Sequence, residues 1–100
     1  MIQALQNFRT YHLAVDFYRQ CKTVKLNTSL KDQLTRATES IVLNLAEGSA
    51  KPTQKDRARF YGHALGSFRE SQAFLSIASQ DDLLSKFDHL GGSLYRLSRS

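Results

Sequence analysis

Apolar residues recur every three or four positions along most of the chain, the spacing of helix faces turned toward a core. The clearest run is Leu30, Leu34, Ala37, Ile41 and Leu45. A second stripe, Gln33, Arg36, Ser40, Asn44 and Glu47, keeps the same spacing and lies roughly 100° around the same helix. A helix with one buried face would carry solvated Lys and Glu there. Short polar groups and one acid beside the seam instead predict a helix with two neighbours, one of which can be another chain. Gly48 follows, a residue suited to the left-handed position that ends a helix.

The same periodicity predicts three more helices. The first covers about residues 7–24, with Phe8, Tyr11, Ala14, Val15, Tyr18 and Cys21 on one face. The second is the central helix, about 30–47, with Ser29 and Asp32 spaced as a capping box. The third covers about 54–78, opening on Thr53 and Asp56 at the same spacing. Its main seam is Tyr61, Leu65, Phe68 and Leu75, with a stripe of mostly small residues beside it. Gly62 and Gly66 sit on one side of this helix, where each costs about 1 kcal/mol relative to alanine. That cost predicts close backbone contact with another helix. The fourth covers about 80–97, opening after Ser79 and interrupted at Gly91-Gly92. Four amphipathic helices with short connections predict an all-α fold, an antiparallel up-down-up-down four-helix bundle in one domain over residues 1–100.

Composition adds little to the fold and something to the function. A 100-residue chain buries a marginal core, so association is an expected source of stability. No apolar run approaches membrane-spanning length, and the opening MIQALQNFRTYH lacks the pattern of a secretory leader. Cys21 is the single cysteine, so no internal disulfide forms and a cytoplasmic location is expected. Its neighbours Phe17, Tyr18 and Val24 read it as a small core residue rather than a reactive thiol. A net charge of +5 permits an anionic partner without establishing one.

The stretch QLTRATESIVLNLAEGSAK, Gln33 to Lys51, resembles the hallmark of the four-helix-bundle proteins encoded in intervening sequences of bacterial 23S ribosomal RNA genes. The residues that carry the resemblance are Gln33, Leu34, Arg36, Ala37, Ser40, Ile41, Asn44, Ala46, Glu47 and Gly48, with Leu45 in place of an isoleucine. A second block, Arg59, Phe60, Ala64, Gly66, Ser67 and Glu70, is similar to the family's later motif. Between the first two helices Lys25-Leu26-Asn27 stands where the family usually has Phe-Pro. The resemblance implies a four-helix bundle that assembles as a homo-oligomer, a homopentameric ring in homologues. An accessory protein of diversity-generating retroelements is similar in fold and binds nucleic acid and a reverse transcriptase. By that analogy RNA or a ribonucleoprotein is the implied partner.

Catalytic chemistry finds little footing. His12, His63 and His89 fall on different predicted helices without a second ligand at metal spacing. EGSAKPT is no phosphate loop, and no serine has a base at a defined offset. No cofactor is expected. Glu47 and Glu70 are the one candidate carboxylate pair; an enzyme built on them would need a pocket holding both. The favoured reading places them, with Arg36, Arg59 and Asn44, in a charge-assisted network that fixes helix register. Gln33, Arg36, Ser40, Asn44, Glu47, Gly48 and Glu70 are therefore assigned to structure and assembly. Folded as an up-down bundle, the start of helix one, the loop between helices two and three and the end of helix four share one pole. That pole collects Arg9, Lys51, Lys55, Arg57, Arg59, Arg96 and Arg99, a surface suited to a phosphate backbone. Few aromatic residues lie outside the seams, which argues against sequence-specific readout. The expected function is non-enzymatic RNA or ribonucleoprotein binding by an oligomeric bundle. The alternative is a protein-binding scaffold with no nucleic-acid ligand.

Overall fold

A computed structural model describes residues 5–100; Met1 to Ala4, the first part of the stretch read as lacking a leader, lie outside the described residues. The described residues form helices and no strand: α1 (Arg9–Cys21), α2 (Thr28–Ser49), α3 (Gln54–Ile77), α4 (Asp81–Lys86) and α5 (Asp88–Ser98). The body measures 40 × 23 × 21 Å, its long axis close to the roughly 36 Å that the 24 residues of α3 span at 1.5 Å per residue.

Each helix starts and stops for a local reason. The first turn of α2 is capped by Asn27, whose side-chain oxygen accepts from the Leu30 amide at 2.9 Å. This places the start at Thr28 and removes Ser29 from the capping role its spacing to Asp32 suggested. Thr53 caps α3 as expected, its hydroxyl accepting from the Asp56 amide at 3.2 Å. The end of α1 is closed by a residue from the next helix. The Lys31 ammonium donates to the Lys22 carbonyl at 2.7 Å and also to that of Val24, satisfying oxygens that α1 leaves free. This lysine closes the connection through Lys25-Leu26-Asn27.

Two other expected stops are displaced. Gly48 does not terminate α2 in the left-handed region, since no glycine among the described residues has a positive φ; the helix passes through it to Ser49. The left-handed position falls on Ser79 (φ 55°), at the end of α3. There Gln80 donates its amide to the Leu75 carbonyl at 2.9 Å and Ser79 to that of Ser76 at 3.1 Å, the paired closing bonds of a helix C-terminus. Ser79 therefore ends α3 rather than capping the next helix, which starts at Asp81 without a side-chain cap. The expected fourth helix is two segments. Its break is at Phe87, which is buried, and Gly91-Gly92 lie inside α5.

The core is a single cluster. Ala14, Phe17 and Cys21 from α1 meet Leu34, Ile41 and Leu45 from α2, Tyr61, Ala64, Phe68 and Leu75 from α3, and Leu90 and Leu94 from α5. Phe17 sits between Phe68 and Phe87, ring centroids 5.3 and 5.0 Å away. The two buried hydroxyls serve their own helices: Thr38 donates to the Leu34 carbonyl at 3.0 Å and Ser71 to that of Ser67 at 2.8 Å, so neither is left unpaired. Contacts give the register. Ser40 meets Ser67 and Gly48 meets Tyr61, so α2 and α3 run in opposite senses. Phe8 meets Tyr61 and Phe17 meets Phe68, so α1 and α3 run in the same sense.

The glycines divide into two kinds. A Cβ on Gly48 would lie 2.8 Å from the Tyr61 ring and 3.0 Å from Phe60 Cβ, and one on Gly91 would lie 2.9 Å from the Phe68 ring. At these two positions the absence of a side chain lets helices close on buried rings. Gly62 and Gly66 meet nothing within 4 Å, so the close helix contact expected of them does not occur within one chain. Alanine should accordingly raise stability at Gly62 and Gly66 by up to about 1 kcal/mol each. At Gly48 it should lower stability by about 1–2 kcal/mol, crowding outweighing helix propensity. Urea denaturation of the three single variants checks the sign; equal effects at all three would contradict the packing.

Candidate nucleic-acid interface

The chain segments that meet at one end of the molecule are the start of α1, the turn from Ala50 to Thr53 with the start of α3, and the last turns of α5. The Phe8 ring packs edge-on to Tyr61 at 5.9 Å, tying α1 to α3 there, while Arg9 and Arg96 line one cleft. The turn is held by Arg57, which donates to the Lys51 carbonyl at 3.0 Å. The Arg57 charge also faces the Tyr61 hydroxyl and partly offsets the rise in its pKa that burial causes.

Phe60 organises the cations around the turn. The Lys51 ammonium and the Arg59 guanidinium each lie 4.9 Å from its ring centroid, and His63 stands edge-on at 6.1 Å. Cations over an aromatic face are held in place without losing their charge. Lys55 is exposed beside them, and at the C-terminus Arg99 lies 5.6 Å from the exposed Tyr95 ring. All seven basic residues assigned to the pole therefore sit on these segments. Among the described residues one ion pair forms, Lys51 to Glu47 at 3.7 Å; Asp56, in the first turn of α3, is the other acid at this end, so seven cations face two carboxylates.

The residues assigned to assembly sit differently from expectation. Gln33, Arg36, Glu47 and Glu70 are exposed, Ser40 and Asn44 are half-buried, and Gly48 is buried. Asn44 donates to the Ser40 carbonyl at 2.8 Å and its hydroxyl at 3.0 Å, and Ser67 donates to the Ser40 hydroxyl at 2.8 Å. That short polar chain ties α2 to α3. The wider charge network does not form: Glu47 takes Lys51, and Arg36, Arg59 and Glu70 make no ion pair among the described residues. The reason is distance from the core, since these long side chains leave the helix pair toward solvent. Glu47 and Glu70 line different hollows, one bounded by Arg36, Leu43 and Asn44, the other by Gly62, His63 and Gly66. The two hollows adjoin at Ser40 and Asn44, and each takes one of the two carboxylates.

A feature the sequence reading missed is a cleft of about 740 Å3 between α1 and α5. Arg9, His12 and Asp16 form one wall and Arg96, Ser93 and His89 the other. Both sets are one-face spacings in helices that the chain's two ends contribute, a signal visible only once those ends are paired. Among the described residues no three His, Cys, Asp or Glu side chains gather as a metal site, and no helix is long and apolar enough to cross a membrane.

Neither the curated proteins nor the solved structures give a significant match to this chain. A family model does match, over residues 7–99, nearly the full length. On that match, with a helical fold in place, the chain belongs to the 23S rRNA-intervening sequence protein family.

Proposed function

We propose that the chain is a non-enzymatic, oligomeric RNA- or ribonucleoprotein-binding module. The observation that carries this reading is the basic end, where Arg9, Lys55, Arg59, Arg96 and Arg99 lack a carboxylate partner among the described residues. Free cations clustered on one end neutralise phosphates and release counterions, whatever the base sequence. Assembly is favoured by a second observation. Gly62 and Gly66 face open space, and Leu43, 66% exposed, stands on the adjoining edge of α2. A second copy seated there would use the close approach the glycines allow and cover the leucine. A ring built this way repeats the basic end around one rim.

The test is a salt titration of single-stranded RNA binding followed by fluorescence anisotropy. Affinity should fall steeply with salt. The Lys55→Glu/Arg59→Glu variant should flatten the log–log slope by about 1.4, two contacts at about 0.7 each. Arg57 is left intact because it holds the turn. Binding that ignores both salt and the double reversal would exclude the surface, and a protein partner surviving nuclease treatment would favour the scaffold alternative. Light scattering on the same sample reports subunit number.

A further inference from the structure

The α1–α5 cleft is more than another stretch of basic surface. Its two walls carry one guanidinium each, Arg9 and Arg96, and one imidazole each, His12 and His89, against one carboxylate, Asp16. The five groups are otherwise lightly engaged. Arg96 donates to Ser93 Oγ at 3.3 Å, and Asp16 accepts from the Gln20 amide at 3.1 Å. His12 Nε2 lies 2.8 Å from the Gln6 carbonyl. A carbonyl only accepts, so that nitrogen carries the hydrogen and Nδ1 is left as the free position.

We propose that this cleft seats a phosphate group, gripped by Arg9 from one wall and Arg96 from the other, with His12 and His89 on the same lining. The choice of ligand rests on the nucleic-acid reading above. Two guanidiniums facing each other across a cleft match the several oxygens of a phosphate, which accept charge-assisted bonds from both sides. A volume of this order suits a nucleotide-sized group. The shared chemistry has two sources, the terminal phosphate of a nucleotide and the phosphodiester of an RNA strand.

The experiment follows the ring-proton NMR signals of His12 and His89 in the full-length protein. The probes are AMP, adenosine, and a six-nucleotide RNA without terminal phosphates. AMP shifting both histidines while adenosine does not identifies a terminal-phosphate seat; the six-nucleotide RNA shifting them alone identifies a strand site. Either supports the proposal. Arg9→Gln and Arg96→Gln, both at exposed positions, should each weaken binding of the active probe about tenfold, with unchanged far-ultraviolet circular dichroism. Silence of both histidines with every probe at millimolar concentration, or equal affinity in the Arg9→Gln/Arg96→Gln variant, overturns it. The Lys55→Glu/Arg59→Glu variant separates the two claims. It should leave AMP binding intact while weakening long RNA. Long RNA that binds without any histidine response would remove the cleft and spare the wider surface.

Discussion

Replacing Phe17 by alanine should remove about 4 kcal/mol of stability, within the roughly 3–5 kcal/mol range for a buried phenylalanine. The ring is 1% exposed and stands between two others, Phe68 from α3 and Phe87 at the break between α4 and α5. Its loss would therefore empty the point where three segments meet. Phe68 is already pressed against Gly91 and Phe87 is held by backbone bonds to Leu83 and Leu90, so neither can swing in to fill the void. A domain of this size has about 5–15 kcal/mol in all, and each kcal/mol lost lowers the melting temperature by about 4–8 °C. A drop of about 20 °C is expected by circular dichroism. Phe74→Ala, at a half-buried site, should cost visibly less. Equal losses at both positions would mean that Phe17 is not the keystone of the cluster.

High pH should destabilise the chain through Cys21. The thiol is 1% exposed, and burial pushes its pKa from 9.0 up to about 12, against the opposing charge of Lys31. Below pH 9 it is protonated in both states and its contribution is constant. Between about pH 9 and 12 the unfolded chain gives up the proton while the folded chain keeps it, so stability falls as pH rises. Three pKa units correspond to about 4 kcal/mol by pH 12. Other groups titrate in the same window, so the measurement is a difference. Urea midpoints of the wild type and Cys21→Ala, followed from pH 8 to 11, should converge as the alanine variant escapes this penalty. Parallel curves would refute it. The same burial should make alkylation of the thiol wait for unfolding.

The sequence made the fold legible wherever the apolar period was unbroken. Leu34, Ala37, Ile41 and Leu45 read correctly because all four point inward, and Thr53 read correctly because a cap needs only its own first turn. What it hid depended on partners far along the chain. Gly48 and Gly91 look like helix breakers until Tyr61 and Phe68 are placed against them. Ser79 has no local mark of the left-handed backbone it adopts. The break at Phe87 likewise accompanies burial of that ring against Phe17 of α1 rather than any turn signal. The basic residues could be assigned to one end from helix order alone. The paired histidines could not, because His12 and His89 are separated by most of the chain.

The cleft walls come from helices on either side of the central hairpin in sequence. Thr28 to Ile77 is one hairpin closed by four residues, and neighbours in sequence can zip it up early. α1 and α5 must find each other afterwards, because α5 follows the hairpin in the chain. A chain whose α5 is still inside the ribosome can thus own its entire central hairpin and yet display no opening between Arg9 and Arg96.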